Sequence, residues 1–228
     1  MMNKLLNRFY NYSQFGPPIN STKPEPTVIK QFEDKLPTRL LNYWSEFGFC
    51  GWGNGIFWTV DPNDYSEILK LWLQGTEFEK RENDGIDKYH VIGRSAFGRL
   101  FIWGEKSGNS LKIDPLYGML FPTDSYEEFS SRGGDTTVDL YFATKKKNEM
   151  DEKDVEGSLL FDKASEKLGL LEPDEMYAFV PALALGGTNK LENLKKVKVI
   201  EHLNFLADLG EKRVMADIVA MSNELHKK

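Results

Sequence analysis

The sequence of 228 residues is poor in the side chains that most often carry catalysis or bind metals. It has a single cysteine, Cys50, and three histidines. One cysteine excludes an internal disulfide bond and is typical of a reducing compartment. His90, His202 and His226 each lack a second histidine, a cysteine or an acid at metal-ligand spacing. We therefore expect no metal site and no organic cofactor.

Long hydrophobic runs are also missing. The N-terminal residues contain only Leu5-Leu6 as an apolar pair, which is too little for the core of a signal peptide. No later run approaches the roughly 18 apolar residues that a membrane span needs. These absences predict a soluble, cytoplasmic protein. A hydrophobic content of 40% and an aromatic content of 13% are ample for a packed core.

Positive charge is scarce in one part of the chain. The whole sequence has a formal net charge of −6, and residues 124–175 alone hold 15 acidic against 7 basic side chains. Such a field repels nucleic acid, so direct DNA or RNA binding is not expected, and it attracts a basic protein. Two interpretations stay open, a solvated acidic face that keeps the protein soluble and a surface that binds a partner.

The densest acidic segment lies between two predicted helices. It places five acids within eight residues, and only Lys153 opposes them there. Loops on a rigid scaffold commonly carry function. We therefore predict that this segment contributes to the binding of a protein partner, and the candidate residues are Glu149, Asp151, Glu152, Asp154 and Glu156.

The first half of the chain predicts helices followed by short strands. Apolar side chains at Leu40, Trp44 and Phe47 recur at helical spacing and indicate a helix that stops at Gly48. Short β-rich runs separated by glycine and proline turns predict an antiparallel meander up to Pro122. The predicted runs are 56–60, 89–92, 100–103, 111–113 and 118–121.

The second half predicts mainly helices. The candidate segments are 124–131, 138–147, 158–168 and 192–209, with a final helix whose apolar stripe is Val214, Ile218, Met221 and Leu225. The final helix either packs on the body or meets a partner. We therefore predict an α+β fold with two subdomains, 1–122 and 123–228, the second smaller and helix-rich. The side chains expected to be buried are Trp44, Phe47, Phe57, Trp58, Trp72 and Trp103 in the first, and Tyr177, Phe179, Val180 and Leu183 in the second.

Catalytic patterns are weak throughout. Ser95 lacks the spacing of a nucleophile elbow, and the glycines of G-W-G-N-G precede a strand, whereas phosphate-binding loops precede a helix. The carboxylate pairs Glu127-Glu128 and Asp151-Glu152 lie in polar contexts, which are not expected to raise a pKa for general acid catalysis. The pair Asp174-Glu175 adjoins an apolar run, and capping or turn formation before a buried segment explains why acids stand there. The sequence predicts a protein that is not an enzyme.

Two blocks of sequence resemble known families. The first is LPTRLLNYWSEFGFCGWGNGIFWTVDPNDYSEIL (36–69) with YHVIGRSAFGRLFIWGE (89–105), and it resembles the GAD-like domain, itself similar to SMI1/KNR4-type folds. The second is LLFDKASEKLGLLEPDEMYAFVPALALGG (159–187) with LENLKKVKVIEHLNFLADL (191–209). It resembles the C-terminal domain of Tdi-type immunity proteins of type VI secretion systems.

The resemblance implies an immunity protein, or antitoxin. Such a protein would bind a cognate secreted effector, in this case a nuclease with DNase activity, and block its active site in the cytoplasm. The resemblance carries no catalytic residues over to this chain. Two alternatives stay open, a regulatory or scaffolding module of the SMI1/KNR4 kind without a toxin partner, and an enzyme that reverses or destroys a toxin's product.

Overall fold

The computed structural model describes residues 3–123 and 125–226, with side chains as far as residue 222. It contains an α+β arrangement, which confirms the predicted fold class. The helices are α1 (Lys4–Asn7), α2 (Pro26–Phe32), α3 (Thr38–Phe47), α4 (Ser66–Leu73), α5 (Glu77–Asn83), α6 (Tyr126–Arg132), α7 (Gly134–Ala143), α8 (Phe161–Leu168), α9 (Val199–Asp208) and α10 (Ile218–His226). The strands are β1 (Ile19–Thr22), β2 (Phe49–Trp52), β3 (Phe57–Thr59), β4 (Tyr89–Ser95), β5 (Leu100–Gly104), β6 (Gly108–Asp114), β7 (Met119–Pro122), β8 (Glu175–Phe179), β9 (Leu194–Lys198) and β10 (Arg213–Val214).

A large sheet forms the centre of the first region. Its strand order is β1-β2-β3-β4-β5-β6-β7-β10, so the first seven strands follow one another as an antiparallel meander. The last strand, β10, comes from the C-terminal part of the chain and pairs in parallel with β7. The predicted meander is confirmed for β3 to β7. Strands β1 and β2 lie outside the predicted runs and extend the sheet at one edge, and the tail adds β10 at the other.

Helices cover both faces of this sheet. On one face the ring centroids of Phe101 and Trp103 in β5 lie 6.4 Å and 6.2 Å from that of Tyr141 in α7. The alternate residues Leu100 and Ile102 face the other side and are also fully buried. Helix α4 packs on β4 and on α9. Strands buried on both faces explain the continuous apolar runs of the sequence.

Helix α3 ends where the sequence predicts. Leu40 and Trp44 on its apolar stripe are buried and Phe47 is half-buried. Gly48 has a φ of +83°, which favours glycine, and a Cβ there would lie 2.7 Å from the carbonyl oxygen of Thr22. The glycine therefore allows the chain to turn directly from α3 into β2 beneath strand β1.

The second region is smaller and contains a strand pair that the sequence analysis missed. Residues 192–209 are not one helix as predicted, because β9 precedes α9 and pairs with β8 in the register Tyr177↔Lys196. The reason is non-local, since the apolar strand β8 offers β9 a pairing partner that local periodicity cannot reveal. The backbone N–H of Tyr177 also donates to the Ala96 carbonyl at 2.9 Å, which joins this strand pair to the first region.

Most predicted core residues are buried, and the exceptions are Phe47, which is half-buried at the end of α3, and two residues after β8. Val180 is 47% exposed and Leu183 is only partly buried, so the prediction for Val180 is wrong. Val180 lies beyond the last residue of β8, where its side chain is only partly covered. The predicted core residues that are buried are Trp44, Phe57, Trp58, Trp72, Trp103, Tyr177 and Phe179.

The C-terminal tail lies on the surface. Val214, Ile218 and Met221 of the predicted stripe are 39%, 78% and 57% exposed, whereas the side chain of Leu225 is outside the described residues, as is that of His226. In the described ranges, no helix has the length and apolar character needed to cross a membrane. The tail is thus anchored by β10 and leaves an apolar helix face uncovered.

Candidate functional site: the acidic loop and its surroundings

The predicted acidic segment is an ordered cover over one end of the large sheet. We call residues 149–156, between α7 and α8, the acidic loop. Arg99, which immediately precedes β5, holds this loop. Its Nη1 donates to the Glu149 carbonyl at 2.7 Å, and its Nη2 lies 2.6 Å from Glu152 Oε1. The guanidinium therefore fixes both the backbone and a side chain of the loop.

Glu152 points inward. Glu152 is only 5% exposed, and its Oε2 accepts a hydrogen bond from the Tyr117 hydroxyl at 3.3 Å. Asp114 shares Arg99, with Arg99 Nε donating to Asp114 Oδ2 at 2.9 Å. Two buried carboxylates thus face one guanidinium. Burial raises the pKa of Glu152 to about 7, with Arg99 opposing that shift and Asp114 adding to it.

Asp151 and Asp154 organise the loop itself. Asp151 Oδ1 accepts hydrogen bonds from the backbone N–H groups of Glu152 at 2.7 Å and Phe161 at 2.8 Å, so it ties the loop to the first turn of α8. Burial raises the pKa of Asp151 to about 6 although these N–H groups lower it. The polar surroundings predicted for the pair Asp151-Glu152 are therefore wrong, because the fold buries both carboxylates. Asp154 Oδ1 accepts from the N–H of Ser158 at 2.8 Å, which closes a turn.

Only two of the five candidate acids face solvent freely. Glu149 is exposed and pairs with the exposed Lys146 at 2.8 Å. Glu156 is exposed, and no ion pair reaches it in the described ranges. The structure therefore separates the candidates into three acids that hold the loop and two exposed acids, of which Glu149 is paired with Lys146. Their part in partner binding stays a prediction.

An exposed apolar loop lies beside the acidic loop. Leu185 is 58% exposed, and the Asn189 side chain donates to the Lys153 carbonyl at 2.8 Å, which links the two loops. A cavity of about 480 Å³ opens between this apolar loop and the sheet, and Tyr117 and Leu183 line it. This stretch was predicted to belong to the core, and Pro181, which interrupts the apolar run, is the one local sign that burial ends there.

The catalytic candidates lie apart and inside the molecule. Cys50 is buried, its Sγ lies 3.5 Å from Thr59 Oγ1, and burial raises the pKa of its thiol to about 11. His90 Nε2 lies 2.8 Å from Glu105 Oε1, and burial lowers the pKa of His90. Burial likewise lowers the pKa of His202. Within the described residues no group of three His, Cys, Asp or Glu side chains is arranged to hold a metal ion.

Comparison with known families matches nearly the whole of this architecture. Residues 5–117 match the GAD-like domain, and residues 135–210 match the C-terminal domain of the type VI secretion immunity protein Tdi1. The chain combines a GAD-like domain with a Tdi1 C-terminal domain. Both resemblances expected from the sequence are thereby confirmed.

A solved structure has the same fold. The crystal structure of Atu4351 from Agrobacterium tumefaciens superimposes with a TM-score of 0.79 at 23% sequence identity. The likeness covers 93% of this chain and 91% of that one. No curated protein matches the chain. The shared fold therefore includes both the GAD-like and the Tdi1 C-terminal parts.

The acidic loop lies where these two parts meet. Arg99, Asp114 and Tyr117 fall within the GAD-like match, whereas Glu149 and Glu152 fall within the Tdi1 match. A second contact of the same kind joins Arg94 Nη2 to the Pro173 carbonyl at 2.8 Å. Two buried arginines of the GAD-like part therefore hold segments of the Tdi1 part. The boundary predicted between residues 122 and 123 lies in the gap between the matched ranges and stays a prediction.

Proposed function

We propose that this protein is an immunity protein that binds a cognate type VI secretion effector, a nuclease, in the cytoplasm and occludes its active site. The observation that carries the proposal is the match of residues 135–210 to the Tdi1 immunity C-terminal domain, joined to a GAD-like domain over residues 5–117. An inhibitor that occludes an active site needs a rigid binding surface, and it needs no catalytic residues. The protein would act as a stoichiometric binder.

The internal packing supports a binding role. The thiol of Cys50 is buried, and the carboxylates of Asp151 and Glu152 are engaged in holding a loop. Their perturbed pKa values therefore have structural causes. What remains on the surface is a set of exposed apolar and acidic side chains, and such surfaces suit protein recognition.

The nuclease part of the proposal rests on the resemblance and on charge. The chain has a net charge of −6, and a protein that holds nucleic acid presents basic side chains to phosphate. Opposite charges would speed the encounter of the two proteins. A fast encounter matters for an inhibitor that must act before its target reaches the chromosome.

The experiment starts from native cells. Tagged protein is isolated with its bound partner, the partner is identified by mass spectrometry, and the recombinant partner is tested for toxicity and nuclease activity. We expect increasing amounts of this protein to abolish the nuclease activity with an endpoint near one to one. Protein treated with chelator and dialysed should inhibit equally well.

Other endpoints would contradict the proposal. Complete protection far below one to one would indicate an enzyme that acts on the toxin or its product. Full nuclease activity and full toxicity in the presence of excess protein would favour the regulatory module of the SMI1/KNR4 kind. Loss of inhibition that zinc or magnesium restores would contradict inhibition without a metal.

A further inference from the structure

A second acidic surface lies away from the acidic loop. It surrounds a groove of about 350 Å³ between the segment before α2, strands β2 and β3, and the turn Pro62–Tyr65 that precedes α4. The walls are mainly apolar and aromatic, and the side chains that form them are Val28, Phe49, Trp58, Val60, Tyr65 and Pro173. We call this cavity the acidic groove.

Three carboxylates lie at the groove, those of Glu25, Asp61 and Asp64. Among the described residues none of them forms an ion pair. Asp61 Oδ1 accepts a hydrogen bond from the N–H of Asn63 at 2.9 Å and so caps the following turn. Capping and binding use the same residue types, so this stretch of sequence gives no sign of a binding role.

The one basic residue of the lining does not neutralise these acids. The ammonium of Lys23 donates to the carbonyl oxygens of Ser45, at 2.8 Å, and of Glu46. Asp64 has a raised pKa because of partial burial and the nearby charge of Asp61. Counted against Lys23 and the buried guanidinium of Arg94 behind Trp58, the three carboxylates still leave an excess of negative charge beside apolar walls.

We infer that the acidic groove receives an arginine or lysine side chain of the cognate effector. Long basic side chains place their methylene stems along apolar surface while their charged ends remain among polar groups. The groove supplies apolar walls for the stem and unpaired carboxylates for the charge. The inference rests on the proposed function, because a nuclease presents basic side chains on the surface that an immunity protein must cover.

The position of the groove supports this assignment. Pro173 lies in the range matched by the Tdi1 domain, whereas the other wall residues lie in the GAD-like range. Binding sites form preferentially where domains meet. Arg94 fixes this junction, since it donates to the Pro173 carbonyl and lies 5.1 Å from the Trp58 ring. The groove is thus preformed by a buried contact, and an anchor side chain needs little rearrangement to enter.

The first test uses the recombinant effector identified by co-purification. The groove variant is Glu25→Gln, Asp61→Asn and Asp64→Asn together, in which asparagine preserves the cap at position 61. The control variant is Glu67→Gln, Asp84→Asn and Glu166→Gln, which removes the same charge from exposed positions outside the groove. We expect the groove variant to bind about 10–100-fold more weakly at low salt, and the control to change affinity by less than about 3-fold.

The second test needs no effector. Wild-type protein labelled with ¹⁵N is titrated with a hexa-arginine peptide and, separately, with the neutral hexa-citrulline peptide. We expect the arginine peptide to shift the amide signals of groove residues and the indole signal of Trp58. These shifts should persist in the control variant and disappear in the groove variant.

The two tests separate failure of this inference from failure of the proposed function. Equal affinity of the groove variant and wild type for an effector that wild type neutralises would overturn the inference and leave the function standing. Without such an effector, arginine-peptide shifts that are unchanged in the groove variant, or confined to the acidic loop, would overturn it. Binding of a second copy instead would appear as a dimer that the groove variant abolishes, and this outcome would also contradict the inference.

Discussion

The acidic loop and the acidic groove both carry clustered carboxylates, but the protein uses them differently. In the loop, Glu152 lies against Arg99 and Asp151 accepts backbone hydrogen bonds. In the groove, Asp64 and Glu25 form no ion pair with any described residue. The loop holds five acids in eight residues, whereas the groove gathers its acids from separate parts of the chain.

The difference shows that the number of acidic residues in a sequence does not give the negative charge that a partner meets. Residues 124–175 have an excess of acids, but Lys146 and Lys163 lie against Glu149 and Asp154. Arg99, which precedes β5 and lies about 50 positions earlier in the chain, reaches the loop. Charges that compensate one another across the fold leave little field for a partner, whereas unpaired acids beside apolar walls keep theirs.

The largest effect expected from this comparison follows from removing Arg99. In Arg99→Met, Asp114 and Glu152 would stay buried without their cation, so the free energy of unfolding should fall by about 3–5 kcal/mol. Urea denaturation at neutral pH measures this. The matched control is Arg132→Met, which breaks the exposed pair with Glu128 and should cost less than about 1 kcal/mol. Equal losses in the two variants would mean that the loop acids are not held by Arg99.

The next prediction concerns pH. The pKa of Glu152 is about 7 in the folded protein, above its ordinary value of 4.5. Folding therefore favours the protonated form, and the contribution of Glu152 to stability is greatest below about pH 4.5 and declines as the pH rises to 7. Glu152→Gln cannot ionise. As the pH rises from 5 to 8, the free energy of unfolding of the wild type should therefore fall by about 1–3 kcal/mol relative to that of Glu152→Gln.

The groups around Glu152 define the control for this experiment. Arg99, Asp114, Tyr117 and Asp151 all act on its pKa, and Asp151 has a raised pKa with the same sign. The comparison is therefore made as a difference between Glu152→Gln and wild type at each pH, so that Asp151 enters the difference only through its interaction with Glu152. A difference that does not vary with pH would contradict a raised pKa for Glu152.

Much of the fold follows from local sequence patterns. The meander strands and α3 were predicted because their apolar residues repeat with the period of the element and glycines mark the ends. Helix α5 was missed, although Thr76 and Glu79 have the sequence spacing of a capping box and their side chains bond backbone N–H groups at the start of the helix. Thr76 Oγ1 accepts from the N–H of Phe78 at 3.2 Å, and Glu79 accepts from the N–H of Gly75 at 2.8 Å. That signal was present in the sequence and could have been used.

The sites follow less readily, because they depend on distant residues. The residues next to Glu152 in the sequence do not indicate that its side chain is buried against Arg99. The apolar neighbours of Val180 likewise do not show that its side chain is half exposed. The groove is still harder to foresee, because Glu25, Asp64 and Pro173 come together only in the folded chain. Family resemblance supplies the fold and a role, and it leaves the assignment of individual contacts to the structure.

A smaller effect is expected at Asp151. Asp151→Ala removes the acceptor of the backbone hydrogen bonds from Glu152 and Phe161, which should lower the free energy of unfolding by about 1–2 kcal/mol. Asp151→Asn retains a side-chain carbonyl oxygen and should lose less than half as much. Thermal denaturation of both variants measures the difference. Equal losses would indicate that the charge matters at this position and the acceptor does not.

The smallest effect is expected from the two exposed acids of the loop. Neutralising all five acids together would mix damage to folding with loss of surface charge, so the informative variant is Glu149→Gln with Glu156→Gln. Its stability should change by less than about 0.5 kcal/mol, because both side chains are exposed. If the loop assists the encounter with a basic effector, association should slow and depend less on salt, while dissociation stays the same. Stopped-flow association at two salt concentrations measures this. The slowing should be smaller than that of the groove variant, and a larger one would assign the dominant electrostatic contact to the acidic loop.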